Sequence, residues 1–319
     1  MAESYKYIYG PVPSRRLGLS LGIDIIPFKI CTLDCIYCQL GHTPDKTLER
    51  KEYVPVEPIL TELKNKLDQG LKADFITLGG SGEPTLNTSF GRLIDAIKAL
   101  TSIPVAVLTN GTLLTDKFIR GDCARADVVM PSLDAADEQT FQKINRPHQD
   151  LTIENIISGL VGFRKQYTGQ IWLEVFLIET VNTAPEHIEK IKNAIERIRP
   201  DKVQLNTAVR PTAEPSLKCV SPQKLHDIAD RLGPNCEVIV DFSKHKTAED
   251  STTDITSALD PHTMETLLSM LKRRPCSVND ISSAMDIPPN EALKYIAHLK
   301  HNNLIDFEHT PGKAFFRVK

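Results

Sequence analysis

From about residue 20 to residue 242 the chain alternates short apolar runs with stretches of helical periodicity, and no other feature constrains its fold as strongly. The runs "LGIDIIP" (21–27), "ADFITLGG" (73–80), "PVAVLTNG" (104–111), "DVVMPSLD" (127–134), "IWLEVFLI" (171–178) and "KVQLNTAV" (202–209) read as strands, with "EVIVDF" (237–242) closing the unit. Helical patterns fall between them, near 56–71, 88–101, 113–122, 152–167, 185–198 and 221–232. Strands joined by crossover helices predict a parallel sheet, and strands apolar along their whole length predict one covered on both faces. In such α/β folds chemistry gathers at the carboxyl ends of the strands. Those ends here carry a cysteine loop, "GGSGEPTL", "TNGT", "SLD" and "NTAVRP".

The alternation stops at a polar, Ser/Thr/Asp-rich stretch, 243–259, which reads as a linker between a domain spanning 1–242 and a small one spanning 260–319. "DPHTMETLLSMLKRRP", "SVNDISSAM" and "PPNEALKYIAHLKHNN" predict three helices, and "LIDFEHTPGKAFFRV" two strands turning at Pro311–Gly312. Three helices and a hairpin resemble a winged helix-turn-helix. The second domain carries eight lysines and arginines against seven carboxylates, short of the basic footprint of a DNA reader. Lys294, His298, Lys300 and His301 on the last helix are a modest exception.

Bulk properties narrow the setting. The 319 residues carry a net charge of −3, so any nucleic-acid contact needs a local basic patch. "MAESYKYIYGPVPSRRLG" lacks the apolar core of a signal peptide, and no run of about 18 apolar residues suggests a membrane span. A cytoplasmic protein is expected, in which clustered cysteines bind metal more often than they form disulfides.

Cys31, Cys35 and Cys38 stand in the spacing C-x3-C-x2-C within "FKICTLDCIYCQLG". Three is the wrong number for a structural zinc site, which wants four ligands; His42 is the nearest fourth. A metal-free reduced loop is the other bland reading. Three thiolates instead suit a four-iron cluster with one iron left open for a ligand. Cys123, Cys219, Cys236 and Cys276 are scattered and read as small buried apolar residues.

The triplet, with Tyr37 as the aromatic residue before its last cysteine, resembles the radical S-adenosylmethionine (SAM) superfamily. The resemblance implies an α/β fold built as a partial (β/α)6 barrel, here followed by the small α+β winged helix-turn-helix domain. It implies one 4Fe-4S cluster on Cys31, Cys35 and Cys38, with SAM chelated at the open iron. Reductive cleavage of SAM would yield a 5′-deoxyadenosyl radical that abstracts hydrogen from substrate, with electrons from a flavodoxin- or ferredoxin-type donor. "GGSGEPTL" resembles the glycine-rich SAM-binding segment, in which Gly80 and Gly82 admit close backbone approach and Glu83 accepts from the SAM ammonium. Ser81 makes it G-S-G-E where G-G-E is commoner. Asn110 matches a position lining the SAM pocket or is a turn residue; Ser132 and Asp134 match positions that hold the ribose hydroxyls or are helix caps.

"GPVPSRRLGLSLGID" with "CQLG" resembles a radical SAM group related to the wybutosine-synthesis (tRNA imidazoguanosine synthetase-like) proteins, which build a tricyclic base on tRNA guanosine. That synthesis also uses three further N-terminal cysteines, and none precedes Cys31. A related RNA or tRNA modification is therefore implied, with a peptide, protein or small metabolite as alternative substrates. Arg15 and Arg16 have the planar donors to clamp phosphate or carboxylate, and Glu174, Asn206 and Arg210 at late strand ends are further substrate candidates or structural pairs. An iron–sulfur regulator binding DNA through the winged helix is the rival of another class; it predicts duplex binding that changes with cluster state.

Overall fold

The computed structural model describes residues 5–240, 260–285, 287–310 and 313–319. Eight strands form one sheet in sequence order: β1 (Ile8–Ser14), β2 (Gly18–Ile23), β3 (Phe75–Leu78), β4 (Val105–Thr109), β5 (Val128–Pro131), β6 (Gln170–Leu177), β7 (Lys202–Thr207) and β8 (Cys236–Val238). From β2 to β8 every neighbour is parallel, as the crossover pattern predicts. The exception is β1, which pairs antiparallel with β2 and was not legible as a strand in "IYGPVPS". That hairpin has a steric condition: a Cβ on Gly22 would lie 2.0 Å from the Tyr9 ring, so glycine lets the tyrosine lie flat across β2.

Seven helices accompany the sheet: α1 (Val56–Asp68), α2 (Phe90–Leu100), α3 (Lys117–Cys123), α4 (Glu138–Asn145), α5 (Ile153–Gln166), α6 (Pro185–Ile198) and α7 (Pro222–Leu232). In α6 the reasons are local. Pro185 sits in the first turn, where its missing N–H is harmless, and Ile188, Ile191, Ile195 and Ile198 recur on one buried face. Arg199 ends it in the left-handed region at φ 56°. Each fully buried isoleucine contributes about 1.5–3 kcal/mol of apolar transfer, so Ile191 and Ile198 bind α6 to the main core.

The expected strand at 21–27 ends at Ile23, and the helix expected at 113–122 is a 3-10 turn (Thr112–Thr115) followed by α3. Helix α4 was missed. The proposed linker 243–259, the end of "EVIVDF" and the turn at Pro311–Gly312 lie outside the described residues.

Residues 260–319 hold α8 (Pro261–Arg273), α9 (Val278–Met285), α10 (Pro289–His301) and an antiparallel pair, β9 (Ile305–Thr310) and β10 (Lys313–Val318). Leu267, Leu271, Ile281, Ile296, Leu299 and Ile305 form a separate small core, and Val12 of β1 packs on it. Strand β1 therefore borders the seam between the two units. No helix among the described residues is long and apolar enough to cross a membrane.

Candidate functional site

Between β2 and α1 the chain runs without a long regular element, and this segment carries the cysteines. It is held down by backbone pairing: Lys29 N donates to Ser81 O at 2.7 Å, and Glu83 N to Ile30 O at 3.0 Å. Each thiol faces one side-chain N–H donor. Asn110 Nδ2 lies 3.5 Å from Cys31 Sγ, Asn145 Nδ2 3.4 Å from Cys35 Sγ, and Lys29 Nζ 3.2 Å from Cys38 Sγ. Lys29 is only 5% exposed. A buried ammonium needs an anionic partner, and among the described residues Cys38 is its side chain's hydrogen-bond partner.

Burial pushes the Cys31 thiol up to about 12 and Cys35 well above the ordinary range. Such thiols ionise when a metal centre supplies the compensating charge. A single zinc ion does not suit them. Thiolates on one tetrahedral zinc lie about 3.8 Å apart, and among the described residues no three His, Cys, Asp or Glu groups converge to hold one ion. His42 is turned to Asp34 and Glu214. Three thiols each supported by an N–H donor fit a polynuclear iron–sulfur cluster, whose sulfurs are commonly hydrogen-bonded in this way.

The glycine-rich loop after β3 lies on the cysteine segment. A Cβ on Gly82 would stand 2.1 Å from Ile30 O, and one on Gly80, at φ 132°, would meet Asp24 Oδ1 at 2.3 Å. Both glycines border the cleft described below. Glu83 is 2% exposed, and its Oε1 accepts from Thr85 N, Thr85 Oγ1 and Thr109 Oγ1, while Oε2 accepts from Asn110 N at 2.7 Å. Burial raises its pKa against those donors. Its first structural task is to tie β3 to the end of β4; only Oε2 keeps room for another donor. Asn110 serves as turn residue and sulfur donor at once, since its Oδ1 accepts from Thr112 N and Oγ1.

Asp134 differs from expectation. It does not border the main cleft. It is 3% exposed, and its Oδ2 accepts from Tyr37 OH at 2.5 Å and Asn145 Nδ2 at 2.8 Å while Oδ1 accepts from Phe176 N at 2.9 Å. Burial pushes it up to about 6. Its role is to fix Tyr37, whose ring stacks on Phe176 with centroids 4.0 Å apart. Ser132 does border the cleft, bridged in backbone register to Glu174.

The cleft, about 410 Å³, has three walls. Cys31, Cys38, Gly80, Gly82, Glu83 and Asn110 form one; Arg15, Arg16, Glu174, Asn206 and Arg210 form the second; Met270, Arg273 and Arg274 from the C-terminal unit form the third. Four of the five substrate candidates are internally paired. Glu174 takes Arg16 Nη1 at 2.7 Å and Asn206 Nδ2 at 2.8 Å, and Arg210 bridges to Asp280 at 2.8 Å. Arg15 makes no hydrogen bond or ion pair among the described residues, so the expected Arg15–Arg16 clamp is one paired arginine and one unpaired.

Sequence reading missed Lys29, Asn145, Asp24 and Arg273. Asp24 receives Ser81 N at 3.0 Å and Arg273 Nε at 2.6 Å, while the Arg273 guanidinium lies 4.2 Å over the Tyr9 ring. The available signals were weak: an acidic residue closing a strand, and a basic pair before Pro275 that reads as complementing a helix dipole. The scattered cysteines also divide. Cys123 and Cys276 are buried as expected, but Cys219 is exposed.

Comparison with known proteins places this geometry. Residues 25–166 match the Radical SAM superfamily. A protein named GTPase Obg from Brachyspira hyodysenteriae is 38% identical over 98% of this chain, which spans only 45% of that protein; no G-x4-G-K-[S/T] phosphate loop occurs here. The UPF0026 protein MJ1312 of Methanocaldococcus jannaschii is 36% identical, with 72% of this chain covering 71% of that one. In fold, a radical SAM methyltransferase from Sphaerobacter thermophilus superposes over 69% of this chain and 65% of its own, with a TM-score of 0.51 at 18% identity. The chain belongs to the UPF0026 family and carries, over residues 25–166, a domain of the radical SAM superfamily, the kind that works with a 4Fe-4S cluster and SAM.

Proposed function

We propose that Cys31, Cys35 and Cys38 hold the cluster, that SAM lies against Gly80, Gly82, Glu83, Asn110 and Ser132 with the Tyr37 ring at its edge, and that substrate enters from the Arg15–Glu174–Arg210 wall. When bound, the cluster and SAM supply reductive generation of a carbon radical for hydrogen abstraction. The protein's part is to seat both, to neutralise the thiolates and to keep water from the cleft. The observation that carries the reading is the set of three thiols each met by its own N–H donor, one of them a buried lysine. Electrons would come from a flavodoxin- or ferredoxin-type donor.

For the substrate we propose RNA, with tRNA foremost. The likeness of residues 10–41 to the wybutosine-related group supports this, as does a C-terminal unit of three helices and a hairpin in the order of a winged helix. A small anionic metabolite is the second reading, favoured by α8, which walls the cleft directly instead of standing away as a recruiting arm. Anaerobic incubation with total RNA or with small-metabolite extract, in the presence of dithionite and SAM, separates them. Substrate-dependent 5′-deoxyadenosine with RNA alone supports the first, and with the RNA-free extract alone the second.

A further inference from the structure

Five arginines line the cleft: Arg15, Arg16, Arg210, Arg273 and Arg274. Three are neutralised by carboxylates, Arg16 by Glu174 at 2.7 Å, Arg210 by Asp280 at 2.8 Å and Arg273 by Asp24 at 2.6 Å. Two are not. Arg15 makes no hydrogen bond or direct ion pair among the described residues, though Glu174 and Asp280 attract it at longer range, and the Arg274 side chain donates to the Pro13 carbonyl, at 3.4 Å. Asp280 attracts Arg274 but is already engaged by Arg210 and by Ser277 N and Oγ. The remaining carboxylate on the cleft, Glu83, is enclosed by Thr85, Thr109 and Asn110. The polar wall is thus left with two guanidinium groups that no carboxylate pairs directly among the described residues, each attracted only at longer range by Asp280, and Arg15 also by Glu174.

The two come from different units. Arg15 projects from the turn between β1 and β2, and Arg274 is the residue that closes α8. Arg15 is exposed to solvent; partial burial of its head group, followed by the nearby charges of Arg210 and Arg16, lowers it to about 10, against the attraction of Glu174 and Asp280. Arg210 and Arg16 repel Arg15, and an anion beside it offsets that repulsion. Guanidinium groups offer forked N–H pairs that match the two oxygens of a phosphate or carboxylate.

We propose that Arg15 and Arg274 together hold an oxyanion of the substrate, a phosphate or a carboxylate, across the seam between the two units. The C-terminal unit then completes the substrate site and is not only a recruiting module. The word substrate rests on the radical SAM reading above; the anion site does not.

The test is equilibrium binding to the cluster-reconstituted full chain under anaerobic conditions. Three probes are used: inorganic pyrophosphate, succinate and a single-stranded RNA decamer. The expected result is that at least one probe binds, and that Arg15→Gln and Arg274→Gln each weaken it at least tenfold. Arg231→Gln, on the exposed face of α7, changes little, and Arg15→Lys and Arg274→Lys retain part of the affinity. The probe that responds identifies the source as a free phosphate, a carboxylate or a nucleic-acid backbone. Arg15 lies on an exposed turn, so Arg15→Gln carries the test if Arg274→Gln disturbs the seam. No binding by any probe, or binding that Arg15→Gln leaves unchanged, overturns the proposal. Loss of the clamp in a protein that still cleaves SAM would count against the clamp alone. Anion binding that survives in a protein unable to cleave SAM would count against the radical reading alone.

Discussion

Lys29 makes electrostatic sense only beside an anion, and its partner is a cysteine sulfur. At about 5 Å and an effective dielectric constant near 20, a unit charge is worth about 3 kcal/mol. Lys29→Met should therefore shift the cluster's reduction potential downward by on the order of 100 mV, measured by EPR-monitored redox titration; an unchanged potential would mean that the lysine serves packing alone. Asn145 carries a second expectation. Asn145→Leu takes a donor from both Cys35 and the buried Asp134, and should destabilise the fold by about 1–3 kcal/mol in urea titration. Cys35→Ala should abolish cluster absorbance, whereas Cys219→Ala should leave it. At this scale the ligands were legible and their supports were not. The cysteines sit within eight residues and declare themselves by spacing, but Asn145 meets Cys35 across 110 positions. Asp134 shows a related limit: the end of a strand points to a site, but not to which of two neighbouring cavities a side chain borders.

Among elements, the long apolar strands and periodic helices were readable because the sheet is buried on both faces. The elements that escaped were those stabilised by one neighbour. β1 contains two prolines and no alternation, and is a strand because β2 presents it an edge. α4 has eight residues, of which Phe141 and Ile144 are its buried apolar pair, and its cap does much of the work: Asp137 Oδ1 accepts Thr140 N at 2.9 Å. Burial opposes ionisation of Asp137, but the Thr140 amide and Lys190 outweigh it and hold its pKa at about 2. The unfolded value is about 3.9, so the cap's stabilisation is present above pH about 4 and lost as pH falls toward 2. Asp137→Ala should cost about 1 kcal/mol at neutral pH, with the gap to wild type closing in acid; an equal gap at pH 3 and pH 7 would contradict the assignment. Helix α8 has a comparable lever on the glycine loop. Arg273→Ala leaves Asp24 buried without its charge partner and should destabilise the protein by about 3 kcal/mol. It should also weaken SAM binding about tenfold, or 1.4 kcal/mol, in calorimetric titration, because Asp24 holds Ser81 in place.

For the whole molecule, residues 260–319 hold three helices and an antiparallel strand pair, elements whose hydrophobic pattern was readable in the sequence. Their docking was not legible, because the seam is made by single charged residues far apart in sequence: Arg210 with Asp280, and Asp24 with Arg273. A double-mutant cycle on Arg210 and Asp280 should return a coupling energy of about 1–3 kcal/mol; a value near zero would mean that the unit is not held there in solution. These contacts make the cleft a shared construction, with thiols and glycine loop from the sheet and one wall from the C-terminal unit. The central claim is that the cleft supports reductive cleavage of SAM at a cluster held by Cys31, Cys35 and Cys38. It is tested most directly by anaerobic incubation of the reconstituted protein with dithionite and SAM, followed by chromatography of the nucleosides. The wild-type chain should form 5′-deoxyadenosine and Cys35→Ala none; a protein with a full cluster that forms none, with any substrate offered, would contradict this mechanism.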